Sequence, residues 1–299
     1  MSDYVSSACD LYESLPGAKL LTHKAATPFV PDGSLVPEDD EERGELAPNA
    51  CKILMKDLWV ARLARPDLFK AICALATKVQ CWTRNCDKML YRLMCYMKRT
   101  IDYRLYGHVR DKPEDLYLDL YVDADFAGDR EDAYSTSGGW LVLAGPDTYF
   151  PLCWVSKKQT SVSRSTTESE IVSLAHSLFL EALPMCTLWD TILGREVDLY
   201  IHEDNEAAIL VINKGFSSKL RHILRTHKVN IASVKDEVDK PHTHLRHVGT
   251  DKQAADIFTK ALEPQKWQAA LDMLHIATVP LEVIEEITAG FKKPPKIPG

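Results

Sequence analysis

The hydrophobic period of this 299-residue chain changes at Pro113, and that change limits the folds open to it. Before Pro113, apolar residues recur at helical spacing. Residues 51–64 give one such pattern. Leu68, Phe69, Ile72, Leu75 and Val79 give another, with Pro66 suited to its first turn. Cys86, Met89, Leu90, Leu93, Met94 and Met97 share one face of a further helix, for which Asn85 is a candidate cap. Lys88, Arg92, Lys98 and Arg99 fall on its other face. The methionines of that stripe suit a core or a helix partner.

After Pro113 the period is about two, the alternation of a half-buried strand. LYLDLYVDA, GGWLVLAG and YFPLCWVS read as three successive strands, the last two joined by the turn-forming GPDT. A long helical pattern follows from Ser165 to Leu193, with Pro184 expected to kink or split it. VDLYIHE is a fourth strand and NEAAILVINKG a helix ending at Gly215. ILRTHKVNIASVKDEV reads as one helix, THLRHV as a fifth strand, and DKQAADIFTKAL as a helix capped by Asp251. His242, His244 and His247 fall in or beside that fifth strand and read as its polar positions. The order βββ-α-β-α-α-β-α implies an α/β fold, a mixed five-stranded sheet flanked by helices and preceded by a small helical segment.

Charge divides the chain unevenly. Residues 1–50 carry three Lys/Arg against ten Asp/Glu, and 51–112 carry fourteen against five. The rest carries nineteen against twenty-eight, and the net charge is −7. VPDGSLVPEDDEERGELAPN suggests that 1–50 is an acidic linker, largely irregular. The expected divisions are this linker, a helical segment over 51–112, an α/β domain over 113–265, and a C-terminal helix with a flexible tail over 266–299. The basic segment, set before an acidic cluster, suits phosphates. No run of eighteen apolar residues occurs, so no membrane span is expected, and the first residues do not read as a secretory signal. The eight cysteines form no CxxC pair, which fits reduced thiols in an intracellular setting, cytoplasmic or nuclear.

Four acidic residues carry the chemistry. Asp123 and Asp204 lie at the ends of expected strands; Glu170 and Asp256 open helical patterns. Carboxylates so placed can converge, and four oxygen donors suit hard cations such as Mg²⁺. Taken singly, each reads more readily as a strand-end, capping or surface acid than as a metal ligand; it is the joint pattern that points to a site. Glu168 competes with Glu170. The stripe Ile171, Leu174, Ala175, Leu178 and Ala182 puts Glu168 nearer the buried side, so helical phase does not choose between them.

From about Lys52 to Leu262 the chain resembles the pol polyprotein of Ty1/copia-type long-terminal-repeat retrotransposons. The resemblance is carried by DADFAGDREDAYSTSGGW, WVSKKQTSVSRSTTESEIVSL, EDNEAAI and QAADIFTKAL, in the family's order. It implies a ribonuclease H-like domain whose four-carboxylate site is Asp123, Glu170, Asp204 and Asp256, and so favours Glu170 over Glu168. VARLARPDLFKAICALATKV and LMCYMKRTIDYRLYG are similar to the end of the family's reverse transcriptase, beside the thumb and connection. Phe126 stands where the family has Trp, Ala261 where it has Pro, and Glu203 adds an acid beside Asp204. The paired-aspartate polymerase signature is absent, so no polymerase site is expected in this chain.

The resemblance thus implies hydrolysis of the RNA strand of RNA–DNA hybrids with two Mg²⁺ ions, Mn²⁺ being a substitute. The four acids would serve as both catalytic residues and metal ligands. Contacts to 2′-hydroxyls would come from Ser163, Ser165, Thr166 and Thr167. The backbone would be held by Lys88, Arg92, Lys98 and Arg99, and by Lys219, Arg221, His222, Arg225 and Lys228. A reverse transcriptase on another chain is a further candidate partner. The alternative is a catalytically inactive nucleic-acid-binding fragment of a truncated or host-adopted element. DNA strand transfer shares the fold and the carboxylates, but the local motifs match the ribonuclease blocks better.

Overall fold

The computed structural model describes residues 1–128 and 133–278. Up to Arg99 the regular elements are helices: α1 (Ser2–Glu13), α2 (Glu38–Glu41), α3 (Ala50–Leu63), α4 (Phe69–Ala76) and α5 (Arg84–Arg99). The expected stripe of α5 is buried at Cys86, Leu90, Leu93, Met94 and Met97. Its cap is Thr83 rather than Asn85. Thr83 has extended backbone, and its hydroxyl accepts from the Cys86 amide at 3.3 Å. Asn85 lies inside the first turn, buried, and donates to the Val36 carbonyl at 2.7 Å.

Helix α1 adds one packed helix to a segment that is otherwise largely irregular over 1–50. Val5, Ala8, Cys9 and Tyr12 follow helical spacing and are all buried in the helical core. This N-terminal segment also changes the fate of the basic face of α5. Lys98 donates to Glu13 at 2.8 Å, and Lys88 is paired with Asp39. Arg92 donates to the Thr27 carbonyl at 3.0 Å, and Arg99 to the Ala25 carbonyl at 3.1 Å. The four cations of α5 expected on nucleic acid are therefore engaged by residues 1–49. Two of these contacts are ion pairs with the segment's acids, and two are hydrogen bonds to its backbone carbonyls.

The short strand β1 (Tyr103–Leu105) leads to the main sheet: β2 (Tyr117–Asp125), β3 (Thr136–Gly145), β4 (Thr148–Lys158), β5 (Leu199–Glu203) and β6 (Thr243–His247). Its strand order is β4-β3-β2-β5-β6. The β2–β3–β4 meander is antiparallel, and β2, β5 and β6 run parallel. All five expected strands are present. His244 and His247 lie in β6 and His242 just before it; His242 and His244 both approach Asp198 at 3.2 Å.

β3 is buried on both faces. Trp140, Val142 and Ala144 join the core of the helical layer, while Leu141 and Leu143 join a second core. The first core runs across the boundary expected at residue 112, with Ile53, Leu90, Trp140, Phe258 and Trp267 in one cluster. Trp154 on β4 also donates to the Ala61 carbonyl at 2.9 Å.

The second core lies under α6 (Thr166–Ser177) and α8 (Glu206–Lys214). Ile171, Leu174 and Leu178 are fully buried there, each such side chain contributing roughly 1.5–3 kcal/mol of burial free energy. The expected break falls one turn before Pro184, as a π turn over Leu178–Ala182 ahead of α7 (Leu183–Leu193). Widening the turn accommodates a proline that lacks an N–H and crowds the carbonyl four residues back. By length and composition Thr166–Leu193 could cross a membrane, but α6 packs its apolar residues against the sheet.

Two helices differ from expectation. Residues 223–238 form α9 (Ile223–Thr226) and α10 (Ile231–Val238) rather than one helix. Lys228 at φ +61° breaks the run, and the Asn230 side chain starts the next by accepting from the Ala232 amide. DKQAADIFTKAL forms two 3₁₀ turns, Thr250–Lys252 and Ala254–Phe258. Buried Gln253 pins the chain between them, donating to the Val122 carbonyl at 2.9 Å and accepting from the Ala255 amide. α11 (Pro264–Met273) follows, and β7 (Ile276–Thr278) pairs antiparallel with β1. The tail expected to be flexible, FKKPPKIPG, lies outside the described residues.

Candidate active site

Asp123 sits in β2, the central strand, with its side chain almost wholly buried. Its cross-strand neighbour on β3 is Gly138. A Cβ there would come within 2.5 Å of the Thr259 methyl, so glycine lets the 254–260 segment lie close over the sheet. On the other face, Ser173 of α6 donates to the Asp123 carbonyl at 2.7 Å. The acid is thus clamped from both sides.

Glu170 is brought in by α6. Ser165 caps this helix, its hydroxyl accepting from the Glu168 amide at 3.2 Å. Glu168 reaches back to accept from the amide of Arg164, the residue before the cap, at 2.9 Å. Its other oxygen faces His222 at 3.0 Å and His227 at 3.3 Å. Glu168 is therefore a buried tie between α6 and the loop near α9, and Glu170 is the acid facing Asp123. Glu168→Ala is expected to cost about 2 kcal/mol of stability, because buried donors lose their acceptor. Chemical denaturation measures this; an unchanged midpoint would remove the structural role given to Glu168.

Asp204 immediately follows β5. Asn205 rather than Asp204 caps α8, accepting from the Ala208 amide at 3.0 Å. That leaves Asp204 free to face the cluster, with Thr250 donating to it at 3.3 Å. Ligand oxygens of Asp123, Glu170 and Asp204 lie within 4.8 Å of one another.

Asp256 stands beside this triangle rather than in it. Lys260 lies between, its Nζ 2.7 Å from Asp256 Oδ1 and 3.0 Å from Asp123 Oδ1. Thr259 donates to the other Asp123 oxygen. The roles of Thr259 and Lys260 were missed in the sequence, although Lys260 lies four residues beyond Asp256, a spacing that lets side chains meet in a helical turn.

The acids crowd one another. Burial, then Glu203, Asp123 and Asp204, push Glu170 up to about 11. Glu170 Oε2 is buried without a hydrogen-bond partner. Burial and Asp123 raise Asp204, and burial and Asp123 push Asp256 up to about 6 against the pull of Lys260. Burial opposes the Lys260 charge, but Asp123 and Asp256 outweigh it and hold Lys260 above the usual lysine range. Glu203 is also fully buried; one oxygen accepts from the Asn205 amide at 3.0 Å and the other has no partner. Such a site is short of positive charge, and a divalent cation would relieve it.

The expected nucleic-acid contacts fall in two places. Ser165 and Thr167 lie at the N-terminus of α6, and Arg221 and Arg225 are exposed at α9, whose loop His222 ties to Glu168. Ser163 is buried and donates to Gln159. Lys88, Arg92, Lys98 and Arg99 are held by the N-terminal segment, as above. Sequence reasoning passed over a cleft of about 360 Å³ that meets the site at Thr259 and is lined by Lys70, Lys78, Lys158, Thr136, Asp125 and Thr259. Its lysines come from α4, the turn after it and the end of β4, so no single run of sequence marks it.

An antiparallel three-stranded meander continued by two parallel strands, with acids at the centre, is a ribonuclease H-like α/β fold. The chain is related to the Pol polyproteins of Ty1/copia-type retrotransposons. It is 31% identical over 251 residues to the retrovirus-related Pol polyprotein from transposon RE2 of Arabidopsis thaliana, covering 83% of this chain and 16% of that one. Against the RE1 polyprotein of the same plant it is 30% identical, covering 78% and 15%. Against the transposon Ty1-H Gag-Pol polyprotein of Saccharomyces cerevisiae it is 25% identical, covering 75% and 12%. The chain thus spans 12–16% of the length of these relatives. No family model matches. A solved structure of LC11-RNase H1, isolated from compost, is 19% identical and covers 48% of this chain and 92% of that one, with a TM-score of 0.35. The same protein in complex with RNA/DNA hybrid is 20% identical and covers 48% and 93%, with a TM-score of 0.33. At those scores the fold rests on the strand order above.

Proposed function

We propose that this chain hydrolyses the RNA strand of RNA–DNA hybrids, using Mg²⁺ or Mn²⁺ held by Asp123, Glu170, Asp204 and Asp256. The observation that carries the reading is the meeting of Asp123, Glu170 and Asp204 within 4.8 Å, with Glu170 Oε2 buried and unpartnered. An all-carboxylate set of this size suits a hard divalent cation. Asp123 and Asp204 would hold one ion with Glu170, and Asp123 with Asp256 a second. Bound metal supplies an activated water and neutralises the leaving 3′-oxygen.

The chain's own residues position the substrate. Ser165 and Thr167 at the start of α6 offer hydroxyls to the 2′-OH groups that distinguish RNA. Arg221 and Arg225 offer charge to phosphates. The cleft with Lys70, Lys78 and Lys158 is our candidate for the backbone role expected of α5, because Thr259, which donates to Asp123, lines it. Asp123, clamped between Ser173 and Thr259, keeps its orientation without reorganisation. The reverse transcriptase partner remains part of this proposal; no polymerase signature occurs in the chain.

The test is purified full chain with end-labelled hybrid in Mg²⁺, Mn²⁺ or EDTA. Cleavage of the RNA strand alone, abolished by EDTA, is the expected result. Binding of hybrid without cleavage in either metal would select the inactive binding fragment.

A further inference from the structure

Lys260 is a cation built into the acidic site. Its ammonium lies 3.0 Å from Asp123 Oδ1 and 2.7 Å from Asp256 Oδ1, bridging the two carboxylates. A divalent ion shared by Asp123 and Asp256 would lie about 2.0–2.1 Å from an oxygen of each, in the same gap. The two cations exclude each other. Asp256 is also outside the triangle formed by Asp123, Glu170 and Asp204, with the Lys260 ammonium bridging it to Asp123. The side chain is about one-third exposed, so its flexible stem has a path to solvent. Thr259 holds the neighbouring Asp123 oxygen and, at 3.1 Å, the Asp256 carbonyl, so the backbone stays in place when the lysine moves.

We propose that Lys260 occupies the second cation position between Asp123 and Asp256 and is exchanged for a metal ion when that position is loaded. This rests on the metal-site reading above. It assigns the two positions different affinities. The Asp123–Glu170–Asp204 position has no ammonium bridging two of its carboxylates. The Asp123–Asp256 position must first expel an ammonium that already satisfies both carboxylates. Lys260 is a positioning residue: in the metal-free protein it keeps Asp123 and Asp256 together despite their like charge, and it makes loading sequential.

Titration calorimetry of Mg²⁺ and Mn²⁺ into the full chain, with thermal melting in EDTA, tests this on wild type, Lys260→Met and Lys260→Arg. Wild type should show one stronger and one weaker site. Lys260→Met should raise affinity at the weaker site by roughly tenfold, and should melt lower in EDTA with the loss recovered by metal. Lys260→Arg, which keeps the charge, should follow wild type. If Lys260→Met does not fold, Lys260→Gln serves in its place, keeping a donor without the charge. Two sites of unchanged affinity in the neutral variant would overturn the proposal while leaving the metal-site reading intact. Absence of metal binding in wild type and neutral variant alike would overturn that reading, and the proposal with it.

Discussion

Asp204→Asn is expected to reduce hybrid cleavage by at least roughly 100-fold while leaving the fold intact. Asp204 follows β5 directly and shares the 4.8 Å triangle with Asp123 and Glu170. Asparagine keeps its shape and an oxygen for the Thr250 hydroxyl, but removes one negative charge from the ligand set. Loss of activity should be accompanied by loss of metal response. A ligand at a hundred times its Kd raises the unfolding free energy by about 2.7 kcal/mol, so saturating Mg²⁺ should lift the melting temperature of wild type more than that of the variant. In EDTA the order should reverse, because one of the crowded acids is gone. Equal cleavage by the two proteins would remove the main support for the four-acid site.

Asp57→Asn is expected to stabilise the protein near neutral pH by a few kcal/mol. Asp57 lies on α3, fully buried, with neither carboxylate oxygen hydrogen-bonded. Burial pushes it from 3.8 up to about 8. The folded state therefore binds the proton more tightly than the unfolded state. That contribution is complete below about pH 4 and is lost progressively as pH rises toward about 8, at about 1.4 kcal/mol per pH unit. Asparagine is nearly isosteric and has no proton to lose. Its advantage should be small at pH 4.5, several degrees of melting temperature at pH 7, and greatest above pH 8. Melting curves of both proteins across that range decide the matter, and parallel profiles would mean that Asp57 is not a buried unpaired acid.

Local chemistry made most of the elements legible. The five strands of the main sheet lie where the period of two placed them, and the stripe of α5 is buried as its spacing indicated. The departures are also local once seen. Helix α1 has a helical apolar spacing overshadowed by the acidic stretch that follows it. The break at Lys228 needed a left-handed residue that no glycine announced. The 3₁₀ turns around Asp256 follow from Gln253, whose partner Val122 lies 131 residues earlier in the chain.

The sequence singled out the four acids through motifs that resemble the Ty1/copia blocks; periodicity alone left Glu168 and Glu170 open. It did not single out their partners. Glu168 and Glu170 differ by only two positions on one helix, and only the packing of His222 and His227 against Glu168 shows which acid is structural. Lys98 and Glu13 are 85 residues apart, so composition alone could not show that the acidic segment covers the basic face of α5. Lys260 and Asp123 are 137 residues apart. Periodicity acts within one element, whereas a charge finds its partner only after the elements have packed, and that step decided which cations face the acids.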